Sequence, residues 1–140
     1  MNKVFGNIKD IRTKNLATWQ DKVFLTFDTD WAIDPVIEKT LDLIDEHDLS
    51  ATIFITHDTP LLDRMRKNPN IELGIHPNFN FLLEGDFRYG KNYEEVINYY
   101  RKIVPEAVSL RSHSMTNNSR ISSLLDKLGI FFNCNYFFIH

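Results

Sequence analysis

Apolar and polar positions along this chain follow two alternating periods. Val23-Phe24-Leu25-Thr26-Phe27 is a short apolar, β-prone run, the pattern of a strand buried on both faces. Asp34-Pro35 then offers an N-cap with proline at the first helical position, and Val36, Ile37, Thr40, Leu41, Leu43, Ile44 and Leu49 keep helical spacing to about Asp48. Ala51-Thr52-Ile53-Phe54-Ile55-Thr56 predicts a second strand, and Pro60 to Lys67 a short helix stopped at Asn68-Pro69-Asn70. Ile71 to Ile75 predicts a third strand ending at His76-Pro77. A long loop, 78–91, follows. Asn92 with Glu95 has the form of a capping box, opening a helix that Pro105 ends. Ala107 to Leu110 predicts a fourth strand. Ser119 starts a last helix, with Gly129 as its stop, and Ile130-Phe131-Phe132 begins a fifth strand.

The order β-α-β-α-β-α-β-α-β is that of an α/β fold with parallel strands and right-handed crossovers. Five strands of this kind make either a small open sheet or an incomplete barrel. Residues 1–20 are polar and weakly patterned and are expected to be a lead-in to one domain over 21–140. With 140 residues, 43% hydrophobic and 25% charged, the chain supports one domain and one core. A net charge of −3 gives no basic face for nucleic acid or an anionic membrane surface. The single cysteine, Cys134, leaves no internal disulfide framework. The two apolar runs, Val23–Phe27 and Ile130–Ile139, fall well short of the roughly 20 residues of a membrane span. The N-terminus lacks the pattern of a secretory signal, so a cytoplasmic location is expected.

The polar residues of chemical interest fall where the predicted strands end. Asp28 and Asp30 follow the first strand, His57 the second, His76 the third, and Arg111 with His113 the fourth. In parallel α/β folds these ends converge on one edge, where active sites form. Asp28 and Asp30, two apart, would point to one side of a continuing strand, and two such carboxylates repel unless a cation or proton lies between them. A divalent metal held by carboxylate and imidazole relieves this. Blander readings stand beside it: a solvated turn for Asp30, a backbone-bonded His76, and a structural polar cluster at Arg111 and His113. His57 abuts a convincing helix entry, Asp58-Thr59-Pro60. His47 sits at a helix C-terminus, where it favours the dipole. Trp31 either walls a cleft or packs in the core.

Leu25-Thr26-Phe27-Asp28-Thr29-Asp30 resembles the first motif of the polysaccharide deacetylases (the NodB-homology, or carbohydrate esterase four, superfamily), usually Thr-Phe-Asp-Asp-Gly. Ala51-Thr52-Ile53-Phe54-Ile55 is similar to the strand that follows it there. Glu72 to Asn80 resembles the second motif, His-Ser/Thr-x-x-His, and Ser109-Leu110-Arg111-Ser112-His113-Ser114 falls at the third, Arg-x-Pro-Tyr. These variants together resemble a branch associated with O-antigen and other surface-polysaccharide loci. Each motif alone is weak, but four in order on the right elements, over residues 21–135, are fairly specific.

The resemblance implies a distorted β/α barrel of seven or eight strands, of which this chain supplies about five. It implies metal-dependent hydrolysis of an N- or O-acyl group on a sugar, with zinc the foremost metal. Asp30 and His76 are the implied ligands; Asn80 stands where the family has its second-motif histidine, so His113, at the adjacent strand end, is expected as the third ligand, with Asn80 the alternative. Asp28 is the implied base and Arg111 its orienting partner. His57 is the nearby candidate for the proton donor, with Trp31 and Asn78 on the substrate side. Two departures stand out: Thr29 separates the two aspartates, and Asn80 replaces a histidine. A complete barrel takes about 250 residues. A truncated reading frame, or a partner chain, oligomer or shortened architecture completing the site, is therefore expected, with weak or no turnover by 140 residues alone. A non-catalytic remnant is one alternative. A glycosyltransferase using Asp-x-Asp is another, although no Gly-rich phosphate loop accompanies it.

Overall fold

A computed structural model describes residues 4–136; the outer ends of the 1–20 and 21–140 segments lie outside the described residues. Five strands form one sheet: β1 (Leu25–Asp28), β2 (Ala51–Ile55), β3 (Ile71–Ile75), β4 (Ser109–Leu110) and β5 (Phe132–Asn133). All neighbours are parallel and the spatial order is the chain order. A doubly wound sheet would reverse direction at a switch point. Monotonic order is instead that of a barrel wall, so the fold is a partial β/α barrel. The crossovers carry α1 (Asp34–Glu46), α2 (Leu62–Lys67), α3 (Asn80–Leu83), α4 (Tyr93–Ile103) and α5 (Ser119–Leu125). No helix among the described residues is long and apolar enough to cross a membrane.

The period of two along each strand separates core from site. Ala51, Ile53 and Ile55 of β2 and Ile71, Leu73 and Ile75 of β3 face the helices, where Leu41, Ile44, Met65, Ile97, Tyr100 and Ile121 complete a buried cluster. The other parity, Thr26, Asp28, Thr52, Phe54, Glu72, Gly74 and Ser109, lines the concave face. Register places Thr26 beside Thr52 and Thr52 beside Glu72, with Asp28, Phe54 and Gly74 in the next row. An added Cβ on Gly74 would lie 2.6 Å from Phe54 Cδ1 and 2.7 Å from Ser109 Oγ, so only glycine fits between those side chains.

The floor of the concave face is closed by main chain from the lead-in. Phe5 bridges Val23 in parallel, and Ile8 is buried in a 3-10 turn, Ile8–Asp10. The buried Glu72 carboxylate accepts from Lys9 N at 2.8 Å, Thr52 Oγ1 at 2.9 Å and Ser109 Oγ at 2.7 Å. Three donors satisfy the acceptor oxygens of that buried side chain.

Several boundaries differ from those predicted. Asp34 does not cap α1: Ile33 occupies the N-cap and Asp34 is the first helical residue, its Oδ1 accepting from Thr59 Oγ1 at 2.6 Å. Tertiary pairing with the next crossover has claimed the carboxylate that a local cap would use. The predicted α2 start at Pro60 moves to Leu62, because the Thr59 hydroxyl holds Leu61 N in a turn. In β5, Phe131 N and Phe132 N both reach Val108 O, which delays regular pairing to Phe132–Asn133. The Asn92 cap forms as predicted, with Glu95 N donating to Asn92 Oδ1 at 2.9 Å, while the Glu95 carboxylate accepts from Lys91 N at 2.8 Å, one residue before the N-cap.

Candidate active site

Strand β1 ends at Asp28, and the chain does not continue extended to Asp30. Thr29 turns into the wall, its N donating to Phe54 O, and Ala32 N closes a turn onto Thr29 O at 2.7 Å. The two central residues of that turn, Asp30 (φ 40°) and Trp31 (φ 57°), are both left-handed. Thr29 is absorbed by the wall, and the turn leaves both Asp28 and Asp30 within reach of one side chain, His76.

One imidazole stands between the two carboxylates. His76, buried at the end of β3, has Nδ1 3.6 Å from Asp28 Oδ1 and Nε2 3.3 Å from Asp30 Oδ1. Burial pushes its pKa below the usual histidine value, against the opposing pull of Asp28 and Asp30, so the ring is neutral near pH 7. A neutral ring has one N–H and cannot satisfy both carboxylates. With the proton on Nε2, Nδ1 is a buried atom without a hydrogen-bond partner. With the proton on Nδ1, a bare Nε2 lone pair faces the Asp30 carboxylate at 3.3 Å. A cation at Nε2 would resolve the second arrangement, with the ring proton on Nδ1, 3.6 Å from Asp28 Oδ1.

His113 supplies a third donor. The predicted position at a strand end is refined: His113 opens a 3-10 turn, His113–Met115, and its N donates to Pro77 O at 2.9 Å. Its Nδ1 lies 3.2 Å from Asp30 Oδ1, and its ring meets those of His76 and Trp31 edge-on, with centroids 5.6 and 5.3 Å apart. Asp30, His76 and His113 each offer one ligand atom, all within 4.8 Å of one another. One carboxylate and two imidazoles are a donor set that suits zinc and leaves a position open for water. The Asp30 side chain is 55% exposed, so the cluster opens to solvent.

Arg111, beyond β4, reaches back across the concave face. Its Nη1 donates to Asp28 Oδ1 at 3.2 Å and its Nη2 to Thr26 Oγ1 at 3.0 Å, with the guanidinium 4.6 Å above the Phe54 ring. Two hydrogen bonds and an aromatic floor fix the fork in one orientation.

The remaining predicted residues divide. Trp31 is partly exposed at the rim beside His113. Asn80 uses its amide on the His113 turn, donating to Ser114 Oγ at 3.3 Å and accepting from Thr116 Oγ1 at 3.1 Å. Asn78 is buried and its Oδ1 accepts from Asn80 N. His57 lies one position beyond the inward series Thr52, Phe54, Thr56, and its Nδ1 is 2.8 Å from Thr56 Oγ1. Thr56 itself was not singled out by the sequence, although its parity with Thr52 and Phe54 marks it as the inward residue at the β2 end. Asn135 was missed as well; its buried side chain accepts from Ser112 N at 2.7 Å and donates to Ser112 Oγ, holding the strand-to-turn junction before His113.

Comparison with known proteins meets this geometry at the same residues. The profile of the WbmS-like polysaccharide deacetylases matches residues 25–140, which include Asp28, Asp30, His76, Arg111 and His113. The chain belongs to the WbmS-like polysaccharide deacetylase family. A solved structure from Bordetella bronchiseptica, provisionally assigned as a polysaccharide deacetylase involved in O-antigen biosynthesis, shares 40% sequence identity with it at a TM-score of 0.89. That match covers 96% of the present chain and 55% of the other, so this WbmS-like chain spans about half the length of its relative. No curated protein matches the chain.

Proposed function

We propose that this WbmS-like chain carries the metal-holding and base-bearing part of a site that removes an N- or O-acetyl group from a sugar in O-antigen or related surface-polysaccharide synthesis. The supporting observation is the convergence of Asp30, His76 and His113 within 4.8 Å, with the Asp28–Arg111 pair alongside. The unit responsible is residues 21–140, with 1–20 as its lead-in.

A divalent metal, zinc by its donor set, would be held by Asp30, His76 and His113 and would supply Lewis acidity toward the acyl carbonyl and a lowered pKa for water. Arg111 orients the Asp28 carboxylate toward the cluster, where it takes the proton of the attacking water. The new C–O bond forms at the acyl carbon as the C–N or C–O bond to the sugar breaks, giving acetate and a free amine or hydroxyl. His57 is the candidate on this chain for returning the proton to that leaving group, its ring anchored through Nδ1 to Thr56 Oγ1. Trp31, exposed at the rim, offers its ring to the apolar face of a sugar.

Acetate release from N-acetylated and O-acetylated sugars, before and after chelation, tests this reading. Release by these 140 residues is expected to be weak, abolished by chelation and restored by zinc. Release indifferent to chelation, or glycosyl transfer from a nucleotide-sugar with manganese, contradicts it.

A further inference from the structure

We infer that the Thr56 hydroxyl is a positioning group for Asp30, holding the ligand-bearing turn in a conformation that its own residues disfavour. The inference rests on the proposal above that Asp30 binds metal. Two consecutive non-glycine residues, Asp30 and Trp31, occupy the left-handed region in a turn closed by Ala32 N on Thr29 O. Turns with both central residues at positive φ ordinarily take Asn-Gly or Asp-Gly, because a side chain such as tryptophan crowds the following carbonyl. Such a conformation persists only where the surroundings over-determine it.

Those surroundings converge on one buried oxygen. Thr56 Oγ1 accepts from Trp31 N at 3.0 Å, lies 2.9 Å from Thr29 Oγ1 and 2.8 Å from His57 Nδ1, while Thr56 N donates to Thr29 Oγ1 at 2.9 Å. With Thr29 donating to Thr56 and Thr56 donating to His57, the oxygen accepts twice and donates once, and its capacity is full. The bonds grip residues on both sides of Asp30, Thr29 through its hydroxyl and Trp31 through its amide. Asp30 makes none of them, so its carboxylate is left to His76 and His113. Thr56 is 2% exposed and sits at the inward end of β2, a rigid element, which suits it to fix the turn.

The experiment compares Thr56→Val, which removes the hydroxyl and keeps the shape, with Thr56→Ser, which keeps the hydroxyl. Zinc affinity is measured by chelator competition and the site's geometry by the visible absorption of the cobalt-substituted protein. Thr56→Val is expected to weaken zinc about 10-fold or more and to shift the cobalt bands, while Thr56→Ser stays within about 3-fold of the parent. Trp31→Gly added to Thr56→Val is expected to recover affinity, because glycine holds the left-handed conformation unaided. Parent-like zinc affinity and cobalt bands in Thr56→Val overturn the inference. Should Thr56→Val not fold, amide exchange in the parent decides: a protected Trp31 N–H supports the hold, and exchange at a free-loop rate overturns it. Asp30→Ala run alongside separates the two claims, since undiminished zinc binding there refutes the metal site itself.

Discussion

Asp28→Asn is expected to lower deacetylation about 10²–10⁴-fold while leaving the metal stoichiometry unchanged, the loss typical of removing a general base. The substitution is nearly isosteric and keeps an oxygen to accept from Arg111 Nη1, now at 3.2 Å, so the guanidinium has no reason to leave the Phe54 ring. What disappears is basicity. Asp28 is not one of the three clustered donors, which is why binding and turnover separate in this variant. Acetate release and metal content measured on one preparation check both halves. Undiminished release would move the base elsewhere, with His57 the next residue to test.

Gly74→Ala is expected to destabilise the fold by about 3 kcal/mol, at the upper end for overpacking a tight core. The added methyl has nowhere to go, since its nearest atoms, at 2.6 and 2.7 Å, belong to the Phe54 ring and Ser109. Gly74 lies in a strand paired on both sides, which limits backbone relief. Ser109 also donates to the buried Glu72, so the displacement reaches the floor of the concave face. The Phe54 ring in turn supports Arg111, so the small fraction of function that survives should show a poorly oriented Asp28. The urea midpoint reads the stability term, and an unchanged midpoint would mean that the wall is looser than its packing indicates.

The fold was largely legible because each strand is a compact apolar run and each crossover a periodic helix. The gathering of Asp28, His76 and Arg111 at one edge of the sheet was legible because they sit directly at strand ends, where position in the chain determines position in space. The open choice between sheet and barrel needed the spatial strand order, a long-range property. His113 lies in a turn with Ser114 and Met115 left-handed, which no local pattern announces. At the β2 end, the histidine drew attention, but parity gave the inward place to Thr56 and left His57 as its neighbour. The floor of the concave face was invisible because Ile8 and Lys9 act through backbone N–H groups, which leave no mark on side-chain pattern.

The central claim is that Asp30 and His76 hold a divalent metal in this WbmS-like chain. Metal analysis of the purified protein, unsubstituted against Asp30→Ala and His76→Ala, tests it most directly. The account predicts about one equivalent of metal in the unsubstituted chain and loss of that metal in both variants at retained fold. One equivalent of metal persisting in both variants would contradict it.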